Sequence, residues 1–133
     1  MNKEQITKLY KEMKQDAKID KNNLDEECCT QTFLYVKWSK RLALAEANFR
    51  RAELALTTFK AGRMIEEKQQ KTTISMAENK YRVSTSYSTL VKKKSNLQQI
   101  VELMKSSVYA MAHRRAMLDN LVRLHTSKYY NET

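Results

Sequence analysis

The chain has 133 residues, with 25 Lys and Arg against 15 Asp and Glu, and so carries +10 with its two histidines neutral. At 41% hydrophobic residues it is too apolar for a disordered polycation. No run approaches the ~18 apolar residues of a membrane span, and Met1-Asn2-Lys3-Glu4-Gln5 leads into no signal-peptide hydrophobic region.

One glycine and no proline stand where about 7% and 5% are usual. Hairpin turns, bulges and phosphate-cradling loops need positive or fixed φ, so sandwiches, barrels, Rossmann domains and P-loops are disfavoured and long helices remain. Cys28 and Cys29 are adjacent and cannot form a disulfide framework, which points to a reducing compartment.

In chain order, Ile6, Leu9, Tyr10, Met13 and Ala17 predict a short amphipathic helix over 1–20, ended near Asp20-Lys21-Asn22. A first long helix and its connector follow over 24–71. Asn23 is placed to cap it, Glu26 to return the bond, and Asp25, Glu26 and Glu27 to sit against its positive end. Its apolar stripe runs Leu24, Cys28, Gln31, Tyr35, Trp38, Leu42, Ala45, Phe49, Ala52, Leu56 and Phe59. Ten of these 11 positions are apolar, against about 4.5 expected from composition. Gly62 and Lys71-Thr72-Thr73 bound the expected connector.

A second long helix is expected over 75–128, opened by the capping box Ser75-Met76-Ala77-Glu78. Its stripe runs Val83, Tyr87, Leu90, Lys94, Leu97, Val101, Met104, Val108, Met111, Arg115, Leu118 and Val122, with ten of 12 apolar. Ser95-Asn96-Leu97-Gln98 marks a weak point, but the register continues across it. A 3.5-residue period held this long is the seam of a coiled coil or tightly wound hairpin, and helices joined by a short connector lie antiparallel. Further apolar residues lie off the seams at Leu34, Leu44, Leu54, Ile100, Leu103, Met117, Leu121 and Leu124. The expected architecture is therefore one all-α domain over 1–133. It is a long antiparallel, coiled-coil-like helical hairpin with a short N-terminal helix, whose wide apolar surface is covered by neighbouring copies in a homo-oligomer.

The charge is uneven. Residues 1–38 sum to zero, 39–94 to +8 and 95–133 to +2. The excess surrounds the connector at Lys60, Arg63, Lys68, Lys71, Lys80, Arg82, Lys92, Lys93 and Lys94, the footprint expected for a polyanion partner. Phe59 and Tyr87 fall on the seams and read as core, whereas Tyr81, between Lys80 and Arg82, is the better candidate for stacking on a single-stranded base, the alternative being plain packing on the helix surface. The competing reading of these charges is a solvated coiled-coil flank.

Catalytic signatures do not accumulate. His113-Arg114-Arg115 reads as a basic helix surface and His125 as a packed or capping histidine. Neither has metal-spaced partners, Cys28-Cys29 is not CxxC, and no phosphate loop or nucleophile elbow occurs. An enzyme is not expected, nor a cofactor or metal.

One resemblance sharpens this. Leu34-Tyr35 with Lys37-Trp38 is similar to the UvsY family of recombination mediators from T-even-type bacteriophages. Leu9, Lys11, Lys14, Asp16, Ile19 and Asp20 follow the family's opening pattern. Lys60-Ala61-Gly62-Arg63, Ser75-Met76 and Ser95-Asn96-Leu97-Gln98 fit further along, after gaps. The resemblance implies a helical protein forming a ring of about six or seven copies, a heptamer among them, as cyclic symmetry allows. It also implies binding of single-stranded DNA, contacts with the phage recombinase and single-stranded-DNA-binding protein, and the cytoplasm of an infected bacterial host as its location. The family's Lys-Ala-Arg motif meets Lys60-Ala61-Gly62-Arg63 here. Aligned without a gap, Arg63 takes the motif arginine and Ala61 faces its lysine.

The DNA-binding set expected from charge and resemblance together is Lys60, Arg63, Lys68, Lys71, Lys80, Tyr81, Arg82, Lys92, Lys93 and Lys94. The alternative is an oligomeric coiled-coil scaffold that binds an acidic protein or a membrane surface.

Overall fold

The computed structural model describes residues 2–70 and 73–131, the last three by their backbone alone. Four helices make it up: α1 (Lys3–Ala17), α2 (Leu24–Gln69), α3 (Ile74–Arg82) and α4 (Thr85–Asn131). No strand occurs among the described residues. The all-α class and the pairing of two long antiparallel helices follow the apolar seams. Several boundaries do not.

α1 opens on a capping box in which the Asn2 side chain accepts from the Gln5 N–H and the Gln5 side chain accepts from the Asn2 N–H. α2 runs through Gly62 to Gln69, so this glycine sits inside a helix and not at the edge of a connector. One glycine costs a helix only ~1 kcal/mol, too little to stop one already held by its seam. The cap of the next helix is Thr73, whose Oγ1 accepts from the Met76 N–H at 3.3 Å, two residues before the expected box at Ser75.

The second long helix is also interrupted, at Val83-Ser84 and not near Ser95. Ser84 is the reason. Its hydroxyl donates to the Tyr81 carbonyl at 2.8 Å and accepts from the Tyr87 N–H at 3.2 Å, closing one helix and opening the next. Val83, the first seam position, is thereby turned out to 86% exposure. Ser95 and Asn96 stay helical because the seam residues on either side remain inward.

Two compact units form: a terminal unit, Met1–Leu44 with Glu102–Thr133, and a unit central in sequence, Ala45–Val101. In the terminal unit α2 and α4 are antiparallel, with the Gln31 amide donating to the Met111 carbonyl at 2.7 Å and Arg114 paired to Glu27. Its core is Leu34, Trp38, Met104, Met111 and Leu118, and Ser107 is fully buried among them. Burying a tryptophan removes ~150–250 Å² from water, worth about 4–6 kcal/mol at ~25 cal/mol per Å². Cys28, on the seam by spacing, is exposed, as are Cys29 and His125.

In the central unit α2 and α4 again run antiparallel, with Glu53 facing Lys94 and the Lys60 ammonium over the Tyr87 ring. Its buried residues are Ala45, Ala52, Leu56, Ala77, Tyr81 and Val101. The short alanines let the helix backbones approach.

Candidate nucleic-acid interface

Every described residue of the expected DNA-binding set falls in the central unit. This unit carries 11 Lys and Arg against five acidic residues, a net +6. Where α2 ends and α3 begins, the cations are largely engaged. Arg63 pairs with Glu66 at 3.3 Å, one turn along α2, while its guanidinium lies 5.3 Å from the Phe59 ring centroid. Lys80 donates to Glu67 at 3.1 Å. Arg82 reaches Glu78 at 3.7 Å. Lys60 is half-buried, its ammonium 5.9 Å from the Tyr87 ring. Arg63, Lys80 and Tyr81 come together around a cleft of about 90 Å³ that Glu67, Ala77 and Ser84 complete.

Tyr81 corrects the sequence reading. It is 8% exposed, and its ring packs 5.4 Å from that of Tyr87, so it belongs to the core of the unit and is not offered to a base. Phe49, Phe59 and Tyr87 are each at least half-buried, so no aromatic ring of this unit is exposed among its described residues. The unit therefore offers a polynucleotide cationic side chains and no aromatic stacking platform among its described residues.

Lys68, Lys92 and Lys93 are exposed and make no ion pair among the described residues. Lys94 is half-buried on the seam with Glu53 at 3.9 Å. Lys71 lies outside the described residues. Arg50 and Arg51, unassigned from sequence, are exposed on α2 in the same unit. Arg51 donates to the Asn48 side chain at 3.5 Å.

The terminal unit holds the second concentration of charge, and there the ions bind each other. Arg114, which reads as surface in the sequence, is 3% exposed. Its guanidinium pairs with Glu27 and donates to the Gln31 side chain at 2.7 Å and to the Glu27 and Lys18 carbonyls at 3.4 Å. Its Nε is buried without a hydrogen-bond partner. Burial lowers its pKa, opposed by the charge of Asp16, but an arginine remains cationic.

Around it α1 is tied to α2. Glu12 binds Arg41 through both oxygens at 3.0 Å and Lys37 at 2.9 Å, and Asp16 accepts from Lys37 at 2.7 Å and from the Trp38 indole at 2.9 Å. The bonds from Arg41 and then Lys37 hold the Glu12 carboxyl down at about 2. Burial acts to lower the Lys37 pKa, but its bonds to Asp16 and Glu12 prevail and raise it. Asp16, Lys37 and Trp38 are among the residues that resemble the mediator family, and here their work is to dock α1. Polar side chains in a seam, such as Gln31, were the available sign of this cluster.

No group of His, Cys, Asp and Glu that could hold a metal ion occurs among the described residues, and none of their helices is long and apolar enough to cross a membrane. No family model matches the sequence, and no curated protein matches it. Among solved structures, that of the recombination mediator protein UvsY of bacteriophage T4 is similar at a TM-score of 0.79, with 15% identity, over 96% of this chain and 99% of that one. The likeness runs from end to end: the chain is built on the fold of the T4 recombination mediator.

Proposed function

We propose that this protein is a recombination mediator, a non-enzymatic, cofactor-free binder of single-stranded DNA that helps the phage recombinase displace single-stranded-DNA-binding protein. The observation that carries this reading is the fold likeness to a mediator over nearly the full length of both chains. The +6 charge of the central unit supports the DNA-binding part, with the contacts drawn from its lysines and arginines. The exposed Phe33, Leu44, Leu54 and Tyr109 support assembly, for which a ring of about six or seven copies in the infected host cytoplasm is the form proposed.

Such a protein accelerates filament formation only by holding DNA better in the form the recombinase accepts than in the form covered by the competing protein. The test is recombinase loading on oligonucleotides pre-coated with single-stranded-DNA-binding protein, with duplex competitor present. Shortened lag and preference for single strands are expected. Absence of both refutes the proposal. A scaffold that binds an acidic protein or membrane would use the same exposed apolar residues, and would show neither effect.

A further inference from the structure

Apart from Lys68, exposed near the end of α2 and in no ion pair among the described residues, the described cations of the central unit divide into two sets at different places on the hairpin. Toward the end of α2 and in α3, Arg63, Lys80 and Arg82 each face a carboxylate within 4 Å, and Lys60 lies over a ring. Farther along, the Glu53–Lys94 contact at 3.9 Å fixes which residues of α2 and α4 share a level. Arg50 and Arg51 precede Glu53 by no more than one helical turn, about 5 Å along the axis, and Lys92 and Lys93 adjoin Lys94. All four are exposed, and none makes an ion pair among the described residues.

Acid is scarce at this level. Between Glu46 and Glu66 the only acidic residue of α2 is Glu53, which Lys94 engages, and α4 has none from Thr85 to Val101. Five cations therefore meet one carboxylate, with Glu46 a further turn back along α2 and in no ion pair among the described residues.

We infer that the phosphate-binding surface of this protein centres on Arg50, Arg51, Lys92 and Lys93, with the cations at the α2–α3 end in a lesser role. This assignment rests on the proposed binding of single-stranded DNA and gives that site its principal residues. Cations already facing a carboxylate must release it before accepting phosphate. The free set has no such exchange to make and gains counterion release in full. Contacts to phosphate carry no sequence information, so binding is tolerant of base identity.

The experiment is fluorescence anisotropy of the full chain with a labelled mixed-sequence oligonucleotide across a salt series. A variant with Arg50→Ala, Arg51→Ala, Lys92→Ala and Lys93→Ala is compared with one carrying Lys60→Ala, Arg63→Ala and Lys80→Ala. The first is expected to lose at least tenfold in affinity and to flatten the log–log salt slope by about 2–3, from ~0.7 per phosphate on a single strand. The second should lose at least fivefold less. Arg50→Lys with Arg51→Lys, which keeps the charge, should retain binding, and light scattering should show the same assembly for all. A wild-type chain indifferent to the oligonucleotide overturns the functional reading and this assignment together. A wild type that binds, with the quadruple variant unaffected or no weaker than the triple, overturns the assignment alone.

Discussion

Replacing Gly62 with alanine should stabilise the protein. Gly62 lies within α2, seven residues before the helix ends at Gln69, and a Cβ built on it meets nothing within 4 Å. Two contributions then act in the same direction. Alanine loses less backbone entropy than glycine on entering a helix, and no neighbour is pushed to make room. The difference in a helix interior is about 0.8–1.0 kcal/mol, which for a chain of this size corresponds to about 3–5 °C in Tm. Thermal and urea unfolding, monitored by far-ultraviolet circular dichroism at one fixed protein concentration, measures it. An upward shift of both midpoints with an unchanged urea slope is expected. A lower Tm would refute the reasoning, since it would mean that another backbone approaches Gly62 closely in the assembled protein.

Three more outcomes follow from the terminal unit. Glu12 has its pKa depressed from 4.5 to about 2, so the stability it contributes is present above about 4.5 and disappears as pH falls toward 2. Its side chain is 35% exposed, and after discounting for screening Glu12→Gln should cost about 1 kcal/mol at pH 7 and nothing near pH 2; an equal cost at both pH values in urea titrations would reject the pairing. Glu27→Ala strands the buried Arg114 guanidinium and should cost about 3–5 kcal/mol, whereas Glu27→Leu combined with Arg114→Met should recover most of the loss. A double variant no more stable than Glu27→Ala would contradict the buried pair. Trp38→Ala, at a fully buried position, should cost about 3–5 kcal/mol by urea unfolding, and a cost below 1 would place the indole outside the core.

The sequence made the seam legible because burial between two helices imposes one period on both. Trp38, Ala45, Ala52, Leu56, Val101, Met104, Met111 and Leu118 follow it and are buried. Arg114 was hidden for the opposite reason. Its partners Gln31, Glu27 and Lys18 lie 83 to 96 residues away in the chain, so no local pattern relates them. The helix break was missed, and the weak point set at Ser95, because two serines compete with the helix in similar ways. Ser84 prevails because its hydroxyl bonds both flanking turns, while Ser95 sits in an unbroken seam. Tyr81 was misread because the interruption at Val83-Ser84 was not foreseen: α3 ends at Arg82, and across the break the Tyr81 ring meets that of Tyr87. Charge was legible as a total and not as a distribution of partners. Which lysines and arginines already face carboxylates depends on residues such as Glu67 and Lys80, 13 apart in sequence and joined only by the turn between α2 and α3.

None of the residues of α1 is fully buried, and beside its half-buried apolar face Glu12 and Asp16 fasten it to α2 through Lys37, Arg41 and the indole of Trp38. Partly exposed ion pairs weaken as the Debye length contracts from ~10 Å at 0.1 M electrolyte toward ~3 Å at 1 M. Concentrated salt would then peel the N-terminal arm away before the hairpin melts, wetting the lone indole and dimming its fluorescence. One solvent variable thus acts at two places on the polypeptide, loosening a bound anion from outside and the N-terminal arm, held by its carboxylates, from within.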